Sequence, residues 1–259
     1  MKPSGTSWPR NPASKNGMFN AWQCIGGNGQ SPSVGRIAIP PWTCGIRNRI
    51  KLATVTVIND KEAGSKGRGF LVHGGYILTA APCIPWSNEG LMALDVPFLV
   101  KIITADGSQL VGQILAVEPV ADIAVIGSPD SQTFYEASNA FDDFAESSER
   151  LILCDDEFPF GKSFPVHVFT HCGKWLSGEA VRWGGENEST VCIETDPGIT
   201  SGTSGSAIVN DCGEVVGVVS NSSNSTTETA GRGTCARPCQ SLPVWLWRAI
   251  KAAQEEATP

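Results

Sequence analysis

Ser204 stands in Gly202-Thr203-Ser204-Gly205-Ser206-Ala207, where small residues let the backbone turn tightly and leave a hydroxyl exposed. The N–H groups of Gly202 and Ser204 can then point into one hollow, a donor pair suited to an oxyanion. A bare Gly-x-Ser-Gly matches many turns. This one follows the apolar run Thr190 to Glu194 and precedes a hairpin whose second strand ends in Val218-Val219-Ser220. Asp122 lies in Ala121-Asp122-Ile123-Ala124-Val125; taken alone, it reads as a turn residue ahead of a buried strand. Amide cleavage by serine needs a nucleophile, a base for its proton, an anion to orient that base, and oxyanion donors. The imidazoles that could serve as base are His73, His167 and His171. His73 adjoins Gly74-Gly75 and reads as a surface turn residue. His167 and His171 lie on or beside a strand and read as structural or exposed.

The elements that must hold these groups are short apolar runs separated by turn signals, the pattern of an all-β barrel or sandwich. Leu52 to Ile58 is the first. Phe70-Leu71-Val72 and Tyr76-Ile77-Leu78 flank Gly74-Gly75, and Leu99 to Ala105 and Leu110 to Val117 flank Asp106-Gly107, both hairpin signals. Ile123 to Ile126, Val166 to Thr170, Gly178 to Trp183, Thr190 to Glu194, Ala207 to Val209 and Glu214 to Val219 complete the series. Residues 1 to about 48 are dense in Gly, Pro, Ser and Asn and read as a partly irregular extension. The acidic stretch Glu136 to Arg150 reads as a solvated linker. At the C-terminus Leu242, Trp245, Leu246, Ala249, Ile250 and Ala253 keep helical spacing, with Ser241 as the expected N-cap, Pro243 near the first position, and Trp245 and Trp247 as packing residues.

Composition narrows the function classes. The chain of 259 residues has a formal net charge of −7 and carries no basic run with interleaved aromatics, so nucleic acid and anionic membranes are not expected partners. No stretch approaches the length of a membrane-spanning helix. Met1 to Gly17 lacks the apolar core of a secretory leader, which leans the reading toward an intracellular protein or a form whose leader has been removed. Nine cysteines (24, 44, 83, 154, 172, 192, 212, 235 and 239) leave one over if the rest pair. Cys235-x-x-x-Cys239 lacks the second half of a zinc site, so buried or loosely paired thiols are expected, with no metal and no cofactor. Asn187, Asn221 and Asn224 each begin an Asn-x-Ser/Thr pattern, which has meaning only in a secretory pathway.

Gly69-Phe70-Leu71-Val72, Tyr76-Ile77-Leu78-Thr79-Ala80-Ala81, Ala121-Asp122-Ile123-Ala124-Val125, the Ser204 loop and the terminal helix together resemble the trypsin/chymotrypsin-like serine peptidase family over residues of about 51 to 250. In that family Thr-Ala-Ala is followed by the catalytic histidine and then cysteine. Here the stretch reads Thr79-Ala80-Ala81-Pro82-Cys83, with positions 82, 122 and 204 in the family's order of base, aspartate and nucleophile. The resemblance implies an all-β double barrel, at about 49–135 and 150–240, with a C-terminal helix at 241–255 and the extension ahead of it. It implies a polypeptide-binding cleft between the barrels, with Gly198 at the base of the specificity pocket and Ser220, Asn221 and Ser222 along one wall. Gly198 is not a carboxylate, so a small or apolar side chain is expected there in place of Arg or Lys.

Three departures from the family stand out. Thr203 replaces the aspartate that pairs with a freshly cut N-terminus, and Ile25-Gly26-Gly27 lies too far ahead to be that terminus, so no activation cut is expected; the Ser204 loop is more like that of bacterial and viral relatives. No cysteine lies between Cys44 and Cys83, so the family's disulfide beside the histidine is not expected. Pro82 cannot carry a proton. It suits the start of a short helical turn but biases Ala81 toward extended geometry. The chain thus reads as a peptidase homologue with impaired hydrolysis that binds peptide or protein. The alternative is an active endopeptidase with a non-standard base or a histidine supplied by its substrate.

Overall fold

The computed structural model describes residues 42–59, 65–85, 98–118, 121–155, 161–183, 190–221, 233–239 and 242–257. Six strands close the first barrel: β1 (Thr54–Asn59), β2 (Ser65–Val72), β3 (Tyr76–Ala80), β4 (Leu99–Ile103), β5 (Gln109–Glu118) and β6 (Ile123–Gly127), in the order β1-β2-β3-β6-β5-β4. Six more close the second: β7 (Ser163–Phe169), β8 (Trp175–Trp183), β9 (Thr190–Thr195), β10 (Ala207–Val209), β11 (Val215–Asn221) and β12 (Gly233–Pro238), in the order β10-β11-β12-β9-β8-β7. The all-β double barrel expected from the sequence is the fold found. Neighbouring strands within each barrel pair antiparallel, and the pleat of each strand turns alternate residues inward. Val55, Val57, Leu71, Ile77, Ile102 and Ile126 fill the first barrel; Val166, Val168, Ile193, Ile208, Val216 and Val219 fill the second.

A third apolar cluster joins the barrels to helices α1 (Cys44–Ala53) and α3 (Val244–Glu256), with Ile46, Ile50, Phe70, Leu78, Leu151, Val215, Leu246 and Ile250 in one contiguous core. The connecting segment is stitched to both sides of this seam. Leu151 N–H donates to Leu71 O at 2.9 Å, Cys154 N–H to Val215 O at 2.9 Å, and Leu153 N–H to the buried Gln254 Oε1 at 2.9 Å. Such a seam fixes the two barrels against each other, and with them the two halves of any site between them.

Several local expectations need correction. Residues 44–48 belong to α1, capped by the Thr43 side chain on Ile46 N–H, and the first strand starts at Thr54 instead of Leu52. Ile46, Ile50 and Ala53 make one apolar face at helical spacing. Much of the acidic stretch is α2 (Tyr135–Ser147), which buries Phe141 and Ala145 against the first barrel and exposes its carboxylates. Pro243 itself is the N-cap of α3, while Ser241 lies outside the described residues. Trp247 packs on the seam, but Trp245 is exposed. Residues 25–27, Asn187 and Asn224 also lie outside the described residues.

His167 is structural. Its Nδ1 meets Ser177 Oγ at 2.7 Å and its Nε2 meets Asp211 Oδ1 at 2.9 Å. Trp42 stacks on the ring at 3.5 Å, and its backbone N–H donates to Asp211 O at 2.8 Å. This clamp fixes the start of α1 to the second barrel.

Candidate active site

The segment from β9 to β10 carries Ser204 on two tight turns. Thr203 N–H donates to Thr200 O at 3.3 Å and Ser206 N–H to Thr203 O at 3.0 Å; Gly202 and Gly205 take φ of +87° and +84°. Gly205 is obligatory on a second count. A Cβ there would stand 1.9 Å from Arg68 O and 2.6 Å from Thr79 Oγ1, inside the first barrel's β2 and β3. The close approach is fastened by Arg68 N–H to Ser204 O at 2.8 Å, Thr79 Oγ1–H to Arg68 O at 2.6 Å, and Gly205 N–H to Val219 O at 2.7 Å. A half-buried Ser204 is thus held where the two barrels touch.

Asp122 enters β6 in the left-handed region, at φ +53°. Asp is among the residues that tolerate this region, at a cost of about 1–2 kcal/mol. Its carboxylate Oδ2 accepts from the hydroxyl of the buried Ser220. Its carbonyl accepts from Ala81 N–H at 3.1 Å.

Ala81–Cys83 is a single 3-10 turn with Pro82 inside it and exposed. The extended geometry expected at Ala81 falls one residue earlier, on Ala80 (φ −82°, ψ 144°), because Ala81 is drawn into the turn by its bond to Asp122. At the other end the buried Cys83 Sγ donates to Ser204 O at 3.3 Å. Pro82 is therefore flanked by one residue bonded to Asp122 and another bonded to Ser204. Burial pushes the Cys83 thiol pKa up, so it behaves as a neutral donor there. A Cβ on Gly67 would come within 2.3 Å of Cys83 Sγ, so a glycine faces this thiol across β2.

Pro82, Asp122, Ser204, Gly202 and Ser220 thus converge on the seam. Ser220, expected along the specificity wall, donates its hydroxyl to Asp122. Gly198 sits on an exposed stretch with open space where a side chain would project. Asn221 closes β11, and Ser222 lies outside the described residues. Sequence reasoning passed over Arg68, quoted Thr79 only as part of a motif, and read His171 as structural or exposed. The His171 ring lies 3.3 Å from the Cβ position of Gly202, and its Nδ1 is 3.3 Å from Thr203 Oγ1. No local signal marked them, since turns distant in sequence bring them to Ser204. Among the described residues no group of three or more His, Cys, Asp or Glu side chains is arranged to hold a metal ion, and no helix is long and apolar enough to cross a membrane.

This fold, with serine and aspartate at the seam of two six-stranded barrels, is that of a serine peptidase domain. The model of the trypsin-like peptidase domain matches residues 67–218, and the chain belongs to that family. It is 28% identical over 160 residues to the probable periplasmic serine endoprotease DegP-like of Pseudomonas fulva, covering 61% of this chain and 29% of that protein. It is 24% identical over 160 residues to the periplasmic serine endoprotease DegP of Salmonella typhimurium, covering 62% and 32%. The chain thus spans about a third of the length of these relatives. Its fold is similar to that of the serine endoprotease from Yersinia pestis, with a TM-score of 0.54 at 19% identity over 80% of this chain and 65% of that one.

Proposed function

We propose that this trypsin-like homologue binds polypeptide in the cleft between its barrels and that hydrolysis through Ser204 is strongly impaired. The observation that carries the reading is the place of Pro82. The turn that holds it is bonded at one end to Asp122 and at the other to Ser204, where the proton relay of a serine peptidase would run. A pyrrolidine ring has no proton to give and no lone pair to take one, so the Ser204 hydroxyl stays protonated and weakly nucleophilic. Loss of one triad member typically leaves about 10³–10⁴-fold over water, from binding and the oxyanion hole. The Ser220–Asp122 bond and the left-handed Gly202 support a cleft that keeps the rest of the peptidase architecture.

Fluorophosphonate labelling of Ser204, run beside turnover of a fluorogenic peptide library, tests the reading. Labelling slower than a complete triad by about 10³-fold or more, with no turnover, is expected. Rapid stoichiometric labelling, or turnover abolished by Ser204→Ala, overturns it. Turnover confined to histidine-containing peptides, or lost in His171→Ala, would instead establish an endopeptidase with a borrowed imidazole.

A further inference from the structure

We propose that a carboxylate-binding subsite lies beside Ser204, built by Arg68 on β2 together with the turn from Phe169 to Lys174. The proposal deepens the cleft reading and rests on it: it names the polypeptide ligand as one that presents a carboxylate at this point.

Arg68 carries the argument. Its guanidinium sits 5.3 Å over the Phe169 ring, and its Nε is buried without a hydrogen-bond partner. Among the described residues no carboxylate pairs with it; the ion pairs there are His167 with Asp211 and Lys251 with Asp155. Burial lowers the Arg68 pKa, as desolvation of a cation must, and the group that opposes this is the Cys172 thiol, a weak counter-charge. A guanidinium remains charged at any ordinary pH, so among the described residues it is partly desolvated and has no neutralising carboxylate. Such a charge is costly until an anion with matching hydrogen-bond geometry reaches it.

The surroundings point the same way. The turn runs Phe169-Thr170-His171-Cys172-Gly173-Lys174 and contains no acidic residue. His171 and Lys174 are exposed on it. In a chain of net charge −7, this local excess of cationic and protonatable groups is a departure from the whole. It also adjoins the nucleophile: Arg68 N–H holds Ser204 O at 2.8 Å, and the His171 ring lies against Gly202. A polypeptide crossing Ser204 therefore passes this cation. The carboxylate can be an Asp or Glu side chain or the free C-terminus of a peptide ending there. Because Cys172 is exposed and its pKa is lowered, first by the Thr170 hydroxyl bond, its thiolate would compete for Arg68 at alkaline pH.

Fluorescence polarisation with labelled random hexapeptide pools tests the subsite on the full chain. One pool carries two glutamates, a second carries glutamines at the same positions, and each is made with a free and an amidated C-terminus. The expected result is about tenfold tighter binding of one carboxylate-bearing form, falling to parity in Arg68→Met; which form wins identifies side chain or terminus as the source. If Arg68→Met does not fold by circular dichroism, Lys174→Gln replaces it, with the preference reduced about threefold. Equal affinity for all pools, or a preference that survives the substitution, overturns the subsite while leaving the cleft reading intact. Binding of no pool overturns both.

Discussion

Substituting Gly205 by alanine tests whether the barrels are held together at the Ser204 turn. The new Cβ would stand 1.9 Å from Arg68 O and 2.6 Å from Thr79 Oγ1, whereas contacts below 3.0 Å are essentially never seen. Relief requires a shift of about an ångström in β2 or in the Ser204 turn, and overpacking of this kind costs about 1–3 kcal/mol. Alanine at φ +84° adds about 1–2 kcal/mol. Opening the contact also loosens the Thr79–Arg68 and Arg68–Ser204 hydrogen bonds, worth about 0.5–1.5 kcal/mol each. The total is about 3–8 kcal/mol, a large share of the ~5–15 kcal/mol that holds a typical domain. The assay is the urea midpoint, compared with Gly198→Ala on the same loop. No atom lies within 4 Å of a Cβ on Gly198, so that variant stays within about 0.5 kcal/mol of the unsubstituted protein. A Gly205→Ala variant within about 1 kcal/mol of the parent would refute the claim that this contact fastens the seam.

Pro82→His should raise peptide turnover and fluorophosphonate labelling by about 10²–10⁴-fold, because the turn is already tied to Asp122 and Ser204; no gain in a folded variant would mean that more than the base is missing. Burial is the largest influence on His167 and lowers its pKa below the ordinary 6.5, against the raising effect of Asp211. The unfolded chain therefore binds the extra proton first, so this contribution to stability is present above pH 6.5 and is lost as pH falls below it. Urea midpoints across that range should slope downward with acid, less so in His167→Gln. Ellman's reagent should find the exposed Cys44 and Cys172 in the native protein. Cys83 and Cys239 should react only on unfolding, the latter with its pKa pushed up to about 12 by burial.

Eleven of the twelve strands have counterparts among the apolar runs read from the sequence, because a barrel strand needs one inward face and that face repeats every second residue. β12 was missed. Gly233-Thr234-Cys235-Ala236-Arg237-Pro238 has little apolar periodicity and becomes a strand by pairing with β9 and β11 to close the barrel. Two helices were missed for other reasons. In α1 the apolar face falls across a boundary drawn from the Gly- and Pro-rich residues before it. In α2, only Phe141 and Ala145 are apolar on the buried face at Ser138, Phe141 and Ala145, with Asp142 and Asp143 between them in the sequence and Glu146 after them.

Residue types and spacing alone determined the family resemblance and marked Ser204, Asp122 and Pro82 as candidate site residues, because these depend on short motifs that persist in one stretch of chain. The tertiary structure alone decided that Ser220 turns to Asp122, that Gly205 lets β2 touch the Ser204 turn, and that Arg68 and His171 flank Ser204. Each is a contact between segments far apart in sequence, set by barrel closure and by the apolar seam that locks one barrel against the other.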